Sequence, residues 1–402
     1  MSAACVAQYN GDWIFPMTTK TFSYYIPTQI EFGAGALASL PEHVRTLGAG
    51  RVLVVGDPGV LRAGLVERVE AALDAGGIEH ARFTDVESDP DTQSVDAGAE
   101  LGKARRCDLV VGVGGGSALD TAKAVALMMV NDGNIRDYVG MGRVPRAGVP
   151  VIAIPTTAGT GSEMTIWSVL SDKAEKVKIS VGSYLNCARI ALLDPELTVS
   201  LPPAITAATG MDALTHALES YVNTATQPIS EGMSEQAMTL IARSLRRAVH
   251  DGGDVAARGD MLLASTIAAM AFNSTRLGVV HAFAMPLGAK FGIPHGLVNA
   301  IMLPAVMRFN HLANPRKFAR IAEIFGEDVR DLGVEQAAAK AADAVAKLKA
   351  DIGITAKLGN FGVTEARFDE IVAEAMQSGN VPVNPRQPTV QDMKDLLKAE
   401  LG

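Results

Sequence analysis

Asp212, His216, His281 and His295 are the residues whose types and spacing point most directly to chemistry. They lie in G-M-D-A-L-T-H-A-L-E, V-V-H-A-F-A and G-I-P-H-G. Asp212 and His216 are four apart in a run of helical composition, so both side chains leave one face, one turn apart. The other two histidines follow, separated by a stretch containing Pro286 and Pro294. One carboxylate oxygen and three imidazole nitrogens form a donor set for a divalent transition metal. The set has no cysteine and leaves positions for a substrate oxygen, which favours catalysis over a closed structural site. Each histidine also has a plainer reading. His216 in an Ala/Leu-rich helix could be a hydrogen-bonded core residue, and His43, His80, His250 and His311 read as surface or capping residues.

Two kinds of chain must position these groups. Up to about residue 200, short β-branched runs alternate with helical stretches. Strands are expected at 51–56, 80–86, 108–113 and 149–155, and helices at 60–75, 95–105 and 117–130. That alternation implies a parallel sheet covered by helices on both faces. Beyond Asp194-Pro195, Ala/Leu/Met-rich segments dominate at 204–221, 230–250, 261–273, 281–291, 297–310, 315–325, 334–351 and 368–378. Turn signals in D-P-E-L and L-P-P mark the change. The expected division is an α/β domain over 1–197 and an all-α domain over 198–402, since 402 residues exceed one ordinary core.

Three loops in the first half suit a nucleotide. G-V-G-G-G-S-A-L-D-T-A-K, residues 112–123, follows a strand and opens a helix, so its glycines and the helix N-terminus suit a phosphate. It is neither a strict dinucleotide fingerprint, since Ser117 stands at the third glycine, nor a Walker loop. Its plainer reading is a tight strand-to-helix turn. Asp57 ends the 51–56 strand, where a carboxylate can accept from a ribose hydroxyl and repel a 2′-phosphate, favouring NAD over NADP. In G-D-P-G it also reads as an ordinary turn aspartate. P-T-T-A-G-T-G-S-E, residues 155–163, places hydroxyl donors after a buried strand, or simply caps the next helix.

Bulk properties exclude other classes. A hydrophobic share of 48% with 20% charged residues is that of a folded globular protein. Net charge is 36 − 44 = −8 with no basic run, which argues against nucleic acid. Cys5, Cys107 and Cys187 form no C-x-x-C pair and suit a reducing cytoplasm. The N-terminus lacks the pattern of a secretory signal, and apolar runs such as 124–130 fall short of the roughly 18 residues that span a bilayer. No membrane association is expected.

G-G-G-S-A-L-D-T-A-K, P-T-T-A-G-T-G-S-E, G-M-D-A-L-T-H-A-L-E and H-A-F-A-M-P-L-G-A-K-F-G-I-P-H-G, in this order, resemble the iron-containing (group III) alcohol dehydrogenase family. The likeness runs from Phe32 to about Asn384. It implies an N-terminal Rossmann-like α/β domain with a parallel sheet, an all-α C-terminal domain, and an active site in the cleft between them. It implies a metal on Asp212, His216, His281 and His295, with Fe2+ the family's usual ion and Zn2+ compatible with the same donors. It places Gly115, Gly116 and Ser117 on the NAD pyrophosphate, and Thr156, Thr160, Lys178 and Asp57 elsewhere on the cofactor.

The implied reaction is hydride transfer between a primary alcohol carbon and nicotinamide, with the cation as Lewis acid. The substrate would be a small alcohol or aldehyde, and the assembly a homodimer or larger homo-oligomer. Because neutral imidazoles are needed, acid should release the metal on the order of pH 5–6. Two departures stand out. Met285 occupies the position where many members carry a second histidine, and methionine cannot relay a proton. The segment before about Thr18 is longer than usual. Competing readings are a metal-independent reductase of the maleylacetate reductase kind, a hydroxyacid dehydrogenase or transhydrogenase, a dehydroquinate synthase-like lyase, and a subunit without turnover. The lyase needs a basic pocket, and residues 264–297 offer only Arg276 and Lys290.

Overall fold

The structure, a computed structural model, describes residues 21–87, 90–173, 175 and 177–402. Cys5 and the segment before Thr18 lie outside the described residues.

The first half contains β1 (Gln29–Phe32), α1 (Leu40–Thr46), β2 (Arg51–Val55), α2 (Pro58–Arg62), α3 (Leu65–Ala75), β3 (Glu79–Phe83), α4 (Thr92–Ala104), β4 (Leu109–Gly114), α5 (Gly116–Met128), β5 (Gly140–Met141), β6 (Val151–Pro155), β7 (Trp167–Asp172), β8 (Val177–Gly182) and β9 (Ile190–Leu193). Six strands form a parallel sheet in the order β1-β9-β6-β4-β2-β3. Its strands read as continuous apolar runs because both faces are covered. Val52 and Val54 of β2 pack with Leu40 of α1 and Val66, Val69 and Leu73 of α3. Leu53 and Val55 point the other way, onto Val95 of α4 and Leu119 and Val125 of α5.

Two expectations need correction. The single helix at 60–75 is two, because Gly64 adopts φ +73 and breaks the run between α2 and α3. Besides the parallel sheet there is a small three-stranded one, β5-β8-β7, in which β7 and β8 pair antiparallel.

The second half is helical: α6 (Pro203–Val222), α7 (Pro228–His250), α8 (Val255–Thr275), α9 (Val279–Phe291), α10 (His295–Asn310), α11 (Pro315–Ile324), α12 (Val334–Asp351), α13 (Phe368–Ala375) and α14 (Val390–Ala399). Starts follow local chemistry. Pro203 and Pro228 stand where a missing N–H costs nothing, and Asp254 accepts from the Ala257 N–H to cap α8. By length and composition α8 could cross a bilayer, but it packs against α6 and α7 with most of its surface buried.

Switch-point geometry positions the first half's loops. The chain runs from β2 out to β3, then returns to β4 on the other side of β2. In open α/β sheets, ligands sit outside the carboxyl ends of the strands flanking such a reversal. Asp57 follows β2 and Gly115 follows β4, so both border that crevice.

Candidate metal and nucleotide site

The four donors come from three helices. Asp212 and His216 lie one turn apart on α6, His281 sits in the first turn of α9, and His295 opens α10. A tight connection brings the last two together: Gly292 closes α9 with φ +65, and Pro294 immediately precedes α10. Gly296 allows α10 to lie directly on α6, since a Cβ there would fall 2.5 Å from the Ala208 carbonyl oxygen and 3.3 Å from Asp212 Cβ.

The result is a compact cage. One donor atom from each residue lies within 4.8 Å of every other. Asp212 Oδ1 is 3.8 Å from His216 Nε2, 3.7 Å from His281 Nε2 and 3.6 Å from His295 Nε2. Donors each about 2.1 Å from one ion at tetrahedral angles are roughly 3.4 Å apart, so the spacing fits a shared cation. Asp212, His216 and His281 are buried, whereas 45% of the His295 side chain is exposed, which leaves the cage open on that side.

Neighbouring groups orient the rings. His216 Nδ1 donates to the Gly159 carbonyl at 3.2 Å, and His281 Nδ1 donates to Glu219 Oε2 at 2.6 Å. Both contacts turn Nε2 toward the cage. The two rings stack at 4.6 Å between centroids, and Phe272 packs on the far side of His216. Glu219 also accepts from the Gly278 and Val280 N–H groups at 2.9 and 2.7 Å, so it caps α9 as well.

The imidazoles do not titrate alike. Burial pushes His216 down to about 3, overcoming the pull of Asp212. Burial likewise lowers His295. On His281 burial is outweighed by the Glu219 and Asp212 carboxylates, which hold it up to about 9. Burial would raise Asp212, but the three imidazoles hold it well below the usual carboxylate range. In the metal-free cage His281 is thus the most basic of the three rings.

The nucleotide-type loops adjoin this cage. No side chain caps α5, and Gly115 precedes it in extended conformation. A Cβ on Gly116 would meet Thr160 Cγ2 at 2.8 Å, and one on Gly115 would lie 3.4 Å from Thr157. A Cβ on Gly114 would be 3.2 Å from Asp57 Oδ2. Asp57, Gly115, Gly116 and Thr160 thus share one crevice, with Ser117 in the first turn of α5 and Thr156 donating its N–H to the Gly114 carbonyl. Asp57 has a structural task too, since its Oδ1 accepts from the Gly59 and Val60 N–H groups. Lys178 lies on β8 of the small sheet, and its charge acts on His295. Met285 is one turn after His281 on α9 and 36% exposed.

Glu219 and Asn299 are the participants that the sequence reading passed over. Both had a signal. Glu219 is seven residues after Asp212 and Asn299 four after His295, spacings that return to the same helix face.

A switch-point α/β crevice joined to a helical cage of one carboxylate and three imidazoles is the layout of a nucleotide-linked oxidoreductase with donors for a metal ion. Residues 27–195 match the family described as iron-containing alcohol dehydrogenase, and residues 206–401 match the C-terminal part of the Fe-containing alcohol dehydrogenase family. The chain belongs to the iron-containing alcohol dehydrogenase family. It is 39% identical over 384 residues to a 1,3-propanediol dehydrogenase of Klebsiella pneumoniae, covering 95% of this chain and 99% of the relative. It is 38% identical over 379 residues to an NAD-dependent methanol dehydrogenase of Bacillus methanolicus, covering 94% and 100%. A crystal structure of 1,3-propanediol oxidoreductase superposes with a TM-score of 0.93 at 39% identity, covering 95% of this chain and all of the other.

Proposed function

We propose that this chain is an NAD-linked alcohol dehydrogenase and aldehyde reductase in which Asp212, His216, His281 and His295 hold a divalent metal. The observation that carries the reading is the convergence of Asp212 Oδ1 and the three histidines in one cage. The cation held there would supply Lewis acidity at the substrate oxygen, and a bound nicotinamide would supply the hydride chemistry. Fe2+ is the family's ion, and the donor set also suits Zn2+. One anionic donor against a divalent charge leaves the site net positive, which suits an oxygen that gains charge during the reaction.

The chain's own groups divide the remaining tasks. Gly159 and Glu219 hold His216 and His281 in the Nδ1–H form. Phe272 covers the His216 ring from one side. Gly115, Gly116 and Ser117 take the cofactor pyrophosphate at the open end of α5, with Thr156, Thr160 and Lys178 as further contacts. Asp57 selects NAD by accepting from the ribose and repelling a 2′-phosphate. Residues 1–197 act as the dinucleotide-binding unit and 198–402 as the metal-binding unit.

The relatives named for 1,3-propanediol and methanol support a small alcohol or aldehyde as substrate. Homo-oligomerisation and a cytoplasmic location complete the reading. The buried free thiols of Cys107 and Cys187 are consistent with a reducing compartment.

Metal analysis combined with a panel of alcohols and aldehydes against NAD and NADP tests the proposal. Near one divalent ion per chain and steady NADH formation are expected, with both lost in Asp212→Ala and His281→Ala. Full turnover in a metal-stripped chain would instead favour the metal-independent reductase.

A further inference from the structure

Asn299 lies four residues after His295 on α10 and is fully buried against the cage. Its Nδ2 donates to Asp212 Oδ1 at 2.6 Å and lies 3.1 Å from His281 Nε2 and 3.3 Å from His295 Nε2. The amide nitrogen therefore sits among the donor atoms themselves. Its other end is unsatisfied, because Asn299 Oδ1 is buried and has no hydrogen-bond partner among the described residues.

The orientation has a physical cause. As a carboxylate, Asp212 presents only acceptor oxygens to the amide. Rotating the amide would bring a carbonyl oxygen within 2.6 Å of that charged oxygen. The nitrogen faces inward because it is the end that can donate. An apolar residue of similar size would leave no orphaned carbonyl at this position. What it would lose is the N–H on Asp212. The carboxylate is the only anionic donor of the four, so its direction matters most for holding a cation.

We propose that Asn299 is a positioning residue of the metal site, its amide N–H holding the Asp212 carboxylate turned toward the three imidazoles and so setting the affinity for the ion. The inference rests on the metal reading given above. It differs from a packing role because it assigns the effect to one hydrogen-bond donor. It also differs from direct ligation, which would require the amide oxygen to face the cage.

Zn2+ and Co2+ dissociation constants, measured by competition with a chromogenic chelator, test it in wild type, Asn299→Leu and Asn299→Ala. Both variants should bind the ion on the order of 10–100-fold more weakly, as expected for loss of a group that orients a ligand. NADH binding, read by nicotinamide fluorescence, should change less than about threefold, because the crevice of Asp57 and Gly115 is built by other elements. Unchanged metal affinity in a folded Asn299→Leu chain, even with a lower Tm, overturns the proposal. So does tighter binding in Asn299→Ala, which would show that the amide obstructs the ion rather than positions a ligand. Should the leucine variant fail to fold, the smaller alanine variant still decides. A wild-type chain that binds neither ion overturns the metal reading itself, whereas wild-type binding with an indifferent Asn299 overturns this inference alone.

Discussion

Replacing Glu219 with glutamine separates the two tasks its carboxylate performs. The buried side chain accepts three N–H groups. Gly278 and His281 Nδ1 share Oε2 at 2.9 and 2.6 Å, and Val280 takes Oε1 at 2.7 Å. Glutamine has one acceptor oxygen. With that oxygen in the Oε2 place, the amide NH2 confronts the Val280 N–H, and an orphaned donor costs about 1–3 kcal/mol. The His281 contact survives but loses its charge assistance, which removes about 1 kcal/mol more. Glu219→Gln should therefore fold with a deficit of about 2–4 kcal/mol.

The pH dependence of that deficit has a definite sign. His281 is held up to about 9 against an ordinary value of 6.5, with burial opposed by Glu219 and Asp212. A raised histidine contributes stability that is fully present below the unfolded value and lost as pH rises through the folded one. The variant's deficit should accordingly be largest near pH 6 and shrink to the hydrogen-bond part above pH 9. Metal affinity moves the other way. Below about pH 9 the ion has to displace a proton from His281, so wild-type affinity should fall roughly tenfold for each unit the pH drops. The variant carries less of that competition but a less basic, less firmly held ligand. Its affinity should approach wild type at pH 7 and fall about 10–100-fold behind by pH 9. Chelator competition at pH 7, 8 and 9, with urea unfolding of the metal-free chain at pH 6 and 9, measures both. Equal metal affinity at every pH, together with a constant stability deficit, would reduce Glu219 to a helix cap.

Two further substitutions address the cofactor side and proton exit. Asp57→Ala should destabilise the chain by about 1 kcal/mol, because it removes the acceptor for the Gly59 and Val60 N–H groups. It should also lower the NAD-to-NADP ratio of kcat/KM, and an unchanged ratio with a lowered Tm would leave Asp57 only its capping task. Met285→His places a titrating ring one turn from His281 at a partly exposed position, so a new inflection on the order of pH 6.5 should enter the kcat profile. An unaltered profile would show that protons leave by a route that does not pass this position.

The legible parts of the chain were those whose local pattern and tertiary role agree. β2, β4 and β6 are apolar runs rich in Val and Ile because the centre of a parallel sheet is buried on both faces. Asp212 and His216 declared their common face by spacing alone. β1 and β9 were missed because four residues carry too little pattern to separate strand from loop. β7 and β8 were missed because W-S-V-L-S-D and V-K-I-S-V-G mix polar and apolar residues in a two-sided hairpin. α14 escaped despite Thr389 with Asp392 three residues on, a capping signal that the structure uses. At the cage, ligand chemistry was visible by residue type, whereas Glu219 and Asn299 act through partners 62 and 87 residues away in sequence.

Hydride transfer needs the nicotinamide and the substrate carbon in contact, so the two halves must be fixed relative to one another. Residues 155–163 supply a rigid tie. The segment leaves β6, lays Thr160 beside Gly116 of the nucleotide loop, and offers the Gly159 carbonyl to His216 in the cage. Its glycines are required by that route. A Cβ at Gly159 would fall 2.7 Å from Thr209 Cβ on α6. At Gly161, where φ is +61, it would fall 2.2 Å from Ala269 Cβ on α8. The loop is therefore wedged against both helices while remaining continuous with the sheet. Gly159, which orients the proposed ligand His216, and Thr160, the proposed nucleotide contact, are adjacent in one strand-end loop, which would couple the registration of the cofactor to the orientation of His216.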